Sequence, residues 1–367
     1  MGLPNITFAL EKAATTVSSR LNAGRVALLM IATNSSSSEE GYEDVEAGLY
    51  LVARESDIPA GLSDDHKAFI KSALIGYLNA PEAVYVSIEG EAIADFDSAI
   101  ARLSQISYDY VATCEDDWRD DLATYVKTAR TGRYIGKAVI DNGTDNDPGV
   151  IRLLATGIEV DGEEIEYPYT ARIAGLLAGT PPEASATYAA LPEVTAVDEL
   201  LDPDASVDAG NLILVDDGRQ IKLGRAVTSK STLAAGELPL LKKIKLVAGV
   251  DLIRYGAITT IEDEYLGKCA NSYDNKCILI TALRAYMSKL EDNGVLVSGS
   301  SGAELDADAI RTYLLTAAAG DEAEIARIKS LSDPALRKED TGSHVFIRLL
   351  GKLQDAMEDF AIVLDAN

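Results

Sequence analysis

"AVYVSIEGEAIADFDSAIARLSQISYDYVATCEDDWRDDLATYVKTARTGRYIGKAVI", residues 83–140, sets two β–α–β passages end to end. Three short apolar runs, "AVYVSIE" (83–89), "YDYVAT" (108–113) and "YIGKAVI" (134–140), have the length and β-branched content of strands. Between them stand "IADFDSAIARLSQ" (93–105) and "DDWRDDLATYVKTAR" (116–130), whose apolar residues recur at helical spacing. Strands alternating with helices give a sheet covered by helices, so the fold class is α/β.

The pattern extends in both directions. Upstream, "RVALLMIAT" (25–33) reads as a buried strand and "LYLVAR" (49–54) as another. Ser63 is a good N-cap, with Asp64 and Asp65 in the first turn, for a helix carrying Phe69, Ile70, Ala73, Leu74 and Tyr77 and closed by Asn79 and Pro81. "NSSSSEEGYEDVEAG" (34–48) is a solvated acidic loop. Downstream, "NLILVDDGRQIKLGRAV" (211–227) is two strands about a "DDG" turn.

After about residue 229 the chain becomes more helical. "DNKCILITALRAYMSKLEDNG" (274–294) is a helix with Leu279, Leu283, Tyr286 and Leu290 on one stripe. "SGSSGAELDADA" (298–309) reads as a flexible joint before a helix over about 306–318, and "HVFIRLL" (344–350) returns to strand pattern. Both extremes of the chain look like short strands: Ile6, Phe8 and Leu10 in "NITFAL", and Phe360, Ile362 and Leu364 in "FAIVLD". Chain ends fray unless something ties them down. The residues alone leave open whether these strands pair within their own subunit or with another.

With 367 residues the chain suggests two or three domains, and its formal charge of −26 argues against a nucleic-acid or anionic-membrane partner. Apolar runs such as "VALLMIA" (26–32) fall far short of the roughly 20 residues of a membrane helix, and no signal peptide opens the chain. Cys114, Cys269 and Cys277 lack CxxC spacing and read as reduced thiols. His66, expected at a solvent-exposed helix start, and His344 sit in no metal-binding spacing, and there is no GxSxG elbow. "GRYIGK" (132–137) is one residue short of a phosphate loop, with Ala138 where the hydroxyl should stand. Asp145 and Asp147 have calcium-like spacing but no glutamate at the twelfth loop position. No catalytic residue, metal or cofactor is expected.

Residues 222–289 hold eleven Lys/Arg against six Asp/Glu, either for solubility or as a basic inner surface facing an acidic partner. Sixteen tyrosines against five phenylalanines and one tryptophan suit subunit contacts or half-buried strand positions.

Several stretches, in order along nearly the whole chain, resemble the tail sheath proteins of contractile phages and phage-tail-like bacteriocins, especially the compact diffocin type. They are "GLPNITF" followed by "ATTV"; "TARIAGLLAGTPPEASATYAALPEVTAVDEL" (170–200), matching at Arg172, Ala174, Gly175, Ala178, Gly179 and Pro181; "NLILVDDGRQIKLGRAVTS" (211–229); "DEYLGKCANSYDNKCILITALRAYMSKLEDNGVL" (263–296); and "DAMEDFAIVL" (355–364). The resemblance implies a non-enzymatic subunit of stacked hexameric rings around an inner tube, contracting to drive that tube through a target envelope. It implies an N-terminal arm (1–24), an outer-facing α/β sheath domain (25–228), a more helical α+β domain facing the tube (229–343), and C-terminal strands with an exchanged arm (344–367). Ile6, Phe8, Leu10, Phe360, Ile362 and Leu364 would then pair with strands of neighbouring copies, and Lys268, Lys276, Arg284 and Lys289 would face the tube. The implied partners are the chain itself, the tube protein, and baseplate and terminator proteins, in a virion tail or bacteriocin particle assembled in the bacterial cytoplasm. Two other readings are a baseplate component and a small-molecule enzyme on an α/β fold.

Overall fold

The computed structural model of the chain describes residues 24–32, 45–90, 94–132 and 134–365. Its described residues form two compact units, one of 24–248 with 355–365, the other Gly249–Gln354. The sequence placed its change of character at 228/229, and these units divide at 248/249 and 354/355.

The first unit contains β1 (Arg25–Ala32), β2 (Gly48–Val52), α1 (Asp64–Ala73), β3 (Ala83–Gly90), α2 (Phe96–Leu103), β4 (Tyr110–Thr113), α3 (Arg119–Arg130), β5 (Lys137–Asp141) and β6 (Val150–Leu154). It continues through β7 (Glu159–Val160), β8 (Glu163–Glu164), α4 (Thr170–Ala178), β9 (Val194–Ala196), α5 (Pro203–Asp208), β10 (Asn211–Asp216) and β11 (Ile221–Leu223). Eight strands make one sheet in the order β11-β10-β6-β5-β4-β1-β3-β2, and β7, β8 and β9 make a small second one. The interior strands are parallel, while β2 and β11 close the two edges antiparallel.

The unbroken apolar run of β1 follows from burial on both faces. Val26, Leu28 and Met30 belong to the core that holds Phe69 and Ile70 of α1 and Ile173 and Leu176 of α4. Ala27 and Leu29 point the other way, into the core with Ile100 and Leu103 of α2 and Leu122 and Val126 of α3. The expected Ser63 cap forms, its Oγ accepting from the His66 N–H at 3.2 Å, and the structure adds a cap on α2, where Asp95 accepts from the Ser98 N–H at 3.1 Å. Parallel β5 and β6 are joined by residues 142–149 without a helix, which a left-handed Asn142 (φ 64°) and Gly143 (φ 108°) make feasible by turning the chain back at once. Asp145 in this connection pairs with Lys127 at 2.5 Å, and Asp147 accepts from the Gly149 N–H at 2.7 Å.

The "TARIAGLLAG" stretch becomes α4, in which every residue is buried. Its small residues exist for close approach: a Cβ on Gly175 would lie 2.3 Å from the Ala73 carbonyl oxygen, and one on Gly179 would lie 2.0 Å from that of Asn79. The expected helix through Tyr77 stops at Ala73 for the same reason. Beyond it the backbone serves α4, with the Ile75 carbonyl accepting from Arg172 at 2.9 Å and the Asn79 N–H donating to Gly179 O at 2.9 Å.

Helix α6 (Ile244–Glu264) leads into the second unit, followed by α7 (Tyr273–Asp292), β12 (Gly302–Leu305), α8 (Ala307–Ala317), α9 (Glu322–Ser330), α10 (Asp333–Leu336) and β13 (Ile347–Leu350). Leu279, Ile280 and Leu283 of α7 pack with Leu305, Ile310, Ile328 and Leu336. The "SGSSGAELDADA" stretch is not a free joint throughout. Its residues Gly302–Leu305 form β12, antiparallel to β13, with Ala303 opposite Leu349 and Leu305 opposite Ile347. Ala303 and Leu305 are buried on one side, a period-2 signal of two residues hidden in a polar run.

Candidate assembly interface

The expected C-terminal strand residues Phe360, Ile362 and Leu364 are 73%, 90% and 86% exposed and form no strand with any described residue. The expected N-terminal strand residues Ile6, Phe8 and Leu10 lie outside the described residues. What precedes Phe360 is held firmly. In the second unit Val297 N–H donates to Lys352 O and Gln354 N–H to Val295 O, both at 2.8 Å. From Asp355 onward the chain belongs to the first unit, where charged side chains fasten it.

The centre of that fastening is Glu358, whose side chain is 6% exposed. The hydroxyls of Ser185 and Thr187 donate to its Oε1 at 3.1 and 2.8 Å, and the Lys243 ammonium donates to its Oε2 at 2.9 Å. Lys243 also binds Asp355 at 2.7 Å, while Arg225 pairs with Asp359 and stands 3.8 Å from Glu358. Burial works to lower the Lys243 ammonium, yet its hydrogen bonds to Asp355 and Glu358 hold it above the ordinary lysine value. Burial works to raise Asp355, and its hydrogen bond from Lys243 leaves it below the usual carboxylate range. Ser185 and Thr187 come from "PPEASATYAAL" (181–191), so that stretch supplies half of the cradle. Sequence reading missed Glu358, because "DAMED" looks like ordinary solvated chain.

The four basic candidates fare differently. Lys276 is buried, its Nζ donating to Thr341 Oγ1 at 3.2 Å, and burial lowers its ammonium below the ordinary value. Its spacing was legible, since Lys276 precedes Leu279, Leu283, Tyr286 and Leu290 on the same buried stripe. Arg284 is exposed at the border of the buried stripe of α7, with Nε donating to Ala303 O at 2.7 Å. Lys268 is exposed and donates to the Asp263 carbonyl, and Lys289 is half-buried.

One further cluster forms in the first unit. His66, Cys114 and Glu115 place one ligand-type atom each within 4.8 Å of one another. His66 is therefore not the exposed residue expected; burial lowers its imidazole below the usual value, with Glu115 and Asp65 opposing. Glu115 Oε1 already accepts the Ile31 N–H at 2.8 Å and closes the end of β1, a structural task that accounts for this carboxylate. Among the described residues no helix is long and apolar enough to cross a membrane.

No family model matches the chain. The sheath tail proteins of Listeria innocua and Desulfitobacterium hafniense superpose with TM-scores of 0.63 at 13% identity, covering 81% and 83% of this chain and 93% and 94% of theirs. A chain in the six-fold symmetrised cryo-EM structure of the anti-feeding prophage baseplate superposes with a TM-score of 0.63 at 11% identity, over 100% of this chain and 99% of its own. At such identities these likenesses establish the fold. The tail sheath protein of Clostridium phage phiCD119 is 31% identical and aligns over 98% of each chain. On that relationship, spanning both proteins nearly end to end, the chain belongs to the tail sheath protein family.

Proposed function

We propose that this protein is the subunit of a contractile sheath, polymerising as stacked hexameric rings around an inner tube and shortening to drive the tube through a cell envelope. The observation that carries this reading is the apolar C-terminal row Phe360–Leu364, fastened at its root and left without a strand partner among the described residues. An unpaired strand exposes a column of N–H and C=O groups that another chain's sheet can satisfy. The outer edge of β13 is a fitting acceptor, because a two-stranded sheet is marginal alone and no described strand pairs with that edge, whereas on the outer side of β12 the Ala303 and Leu305 carbonyls already accept from Arg284 and Arg337. Ile6, Phe8 and Leu10 would form the second donated strand.

The role is structural and non-catalytic. Free energy resides in an extended lattice under kinetic control and is released as subunits rotate and bury more interface, without a nucleotide. The baseplate and terminator proteins are its end partners, in a virion tail or bacteriocin particle. Negative-stain microscopy of the purified protein should show striated hollow tubes; particles that stay monomeric at high concentration would refute this function.

Tube contact is assigned to the second unit, with exposed Arg284 and Lys268 and half-buried Lys289 as the remaining cations of the expected set, since the Lys276 side chain is buried. Arg284→Glu with Lys268→Glu should reduce co-sedimenting tube protein at least tenfold at low salt. Retention equal to wild type at moderate salt would discard this contact.

A further inference from the structure

We infer that Glu358 is the positioning residue of the C-terminal arm, a carboxylate catch that makes the arm move with the first unit and not with the second. The inference deepens the arm reading above and rests on it. Met357 is 86% exposed and the Asp359 side chain 79%, yet the side chain between them is 6% exposed. A lone carboxylate withdrawn from water in an exposed segment requires that its oxygens be satisfied. Here Ser185, Thr187 and Lys243 do so, with Arg225 close by.

The cradle is itself fixed. Thr187 Oγ1 accepts the Ala226 N–H at 3.0 Å, and Val227 and Lys243 bridge as antiparallel partners. The neighbouring ion pairs are weaker holds, because Asp355 and Asp359 are 44% and 79% exposed and solvent screens them.

The consequence is mechanical. Phe360 follows Glu358 by two residues, about 7 Å of extended chain, so a donated strand begins with almost no slack. With the catch open, the nearest firm attachment is the Gln354 N–H on Val295 O, in the second unit. The tether to Phe360 then grows to roughly 20 Å of extended chain and its origin changes unit. A closed catch therefore transmits motion of the large sheet into the neighbour that receives the arm.

Pulsed electron–electron distance measurement on isolated subunits tests this, with nitroxides at Ala361→Cys and Asp204→Cys in a Cys269→Ser/Cys277→Ser background. Wild type should give one narrow distance distribution. Glu358→Ala should widen it at least twofold, and Glu358→Gln should fall between, since an amide oxygen still accepts from the hydroxyls but no longer holds the ammonium. Lys243→Met, which alters the cradle and leaves the arm intact, should widen it as well. Equal widths in wild type, Glu358→Ala and Lys243→Met would overturn the catch. Because no polymer is needed, a failure to form tubes leaves this result standing, and equal widths leave the sheath reading untouched.

Discussion

A chain that stops after Asp359 folds, unfolds at the same temperature as the full protein, and forms no sheath tubes. Residues 360–365 are exposed and make no strand pairing among the described residues, so their removal falls within the small range expected of surface changes. Assembly suffers far more. Phe360, Ile362 and Leu364 share one side of an extended strand, and Ala361 and Val363 share the other, also apolar. A strand apolar on both sides fits a site covered on both sides. Burying each large side chain is worth roughly 1.5–3 kcal/mol. Three together give at least about 4.5 kcal/mol per contact, more than a thousandfold in the association constant before backbone pairing is counted. The truncated protein keeps Glu358 and its cradle, which separates loss of the strand from loss of its anchor. Thermal unfolding followed by circular dichroism, with sedimentation and negative stain on the same sample, reads both halves of the prediction. Ordinary tubes from the truncated chain would end the arm hypothesis.

What could be read before folding was local. The alternation across residues 83–140, the two-faced run in β1, the Ser63 cap and the hydrophobic stripe of α7 each depend on neighbours within a few residues, and each appears in the structure. What stayed hidden depends on distant partners. Glu358 meets Ser185 and Thr187 across 173 and 171 residues of chain, and nothing within "DAMED" announces a buried carboxylate. β12 was lost because its four residues lie in a Gly/Ser-rich run and gain their strand character from β13. Lys276 is the instructive intermediate: its charge suggested a surface, while its helical phase already placed it on the buried stripe. His66 was misjudged for a related reason, since Cys114 and Glu115 reach it from the end of β4 and not from its own helix.

Arg172→Ala should be the most damaging single substitution in the first unit, lowering stability by about 3 kcal/mol or more. Arg172 is 2% exposed, and its Nε lies 2.5 Å from Glu193 Oε1, which also accepts from the Tyr169 hydroxyl at 2.7 Å. Its NH1 donates to Ile75 O, the carbonyl left free where α1 stops early. Truncation to alanine therefore leaves a cavity beside α4, an unsatisfied carbonyl and a partly buried carboxylate without its counter-charge. The pH dependence identifies the carboxylate's share. Burial works to raise Glu193, and Arg172 together with Tyr169 overcomes it, so its folded value lies below the ordinary 4.5. A depressed carboxylate contributes stability that is present above pH 4.5 and lost as the pH falls through the folded value. Without Arg172, burial opposes the charge with less to counter it, and protonation near pH 4 relieves the variant while it costs the wild type stability. The gap between the two should thus narrow between pH 7 and pH 4 in urea unfolding, and Arg172→Leu/Glu193→Gln should recover part of the loss, because an amide oxygen still accepts from Tyr169. A gap of equal size at both pH values would show that the damage is packing alone, and that the Arg172–Glu193 ion pair contributes nothing by its charge.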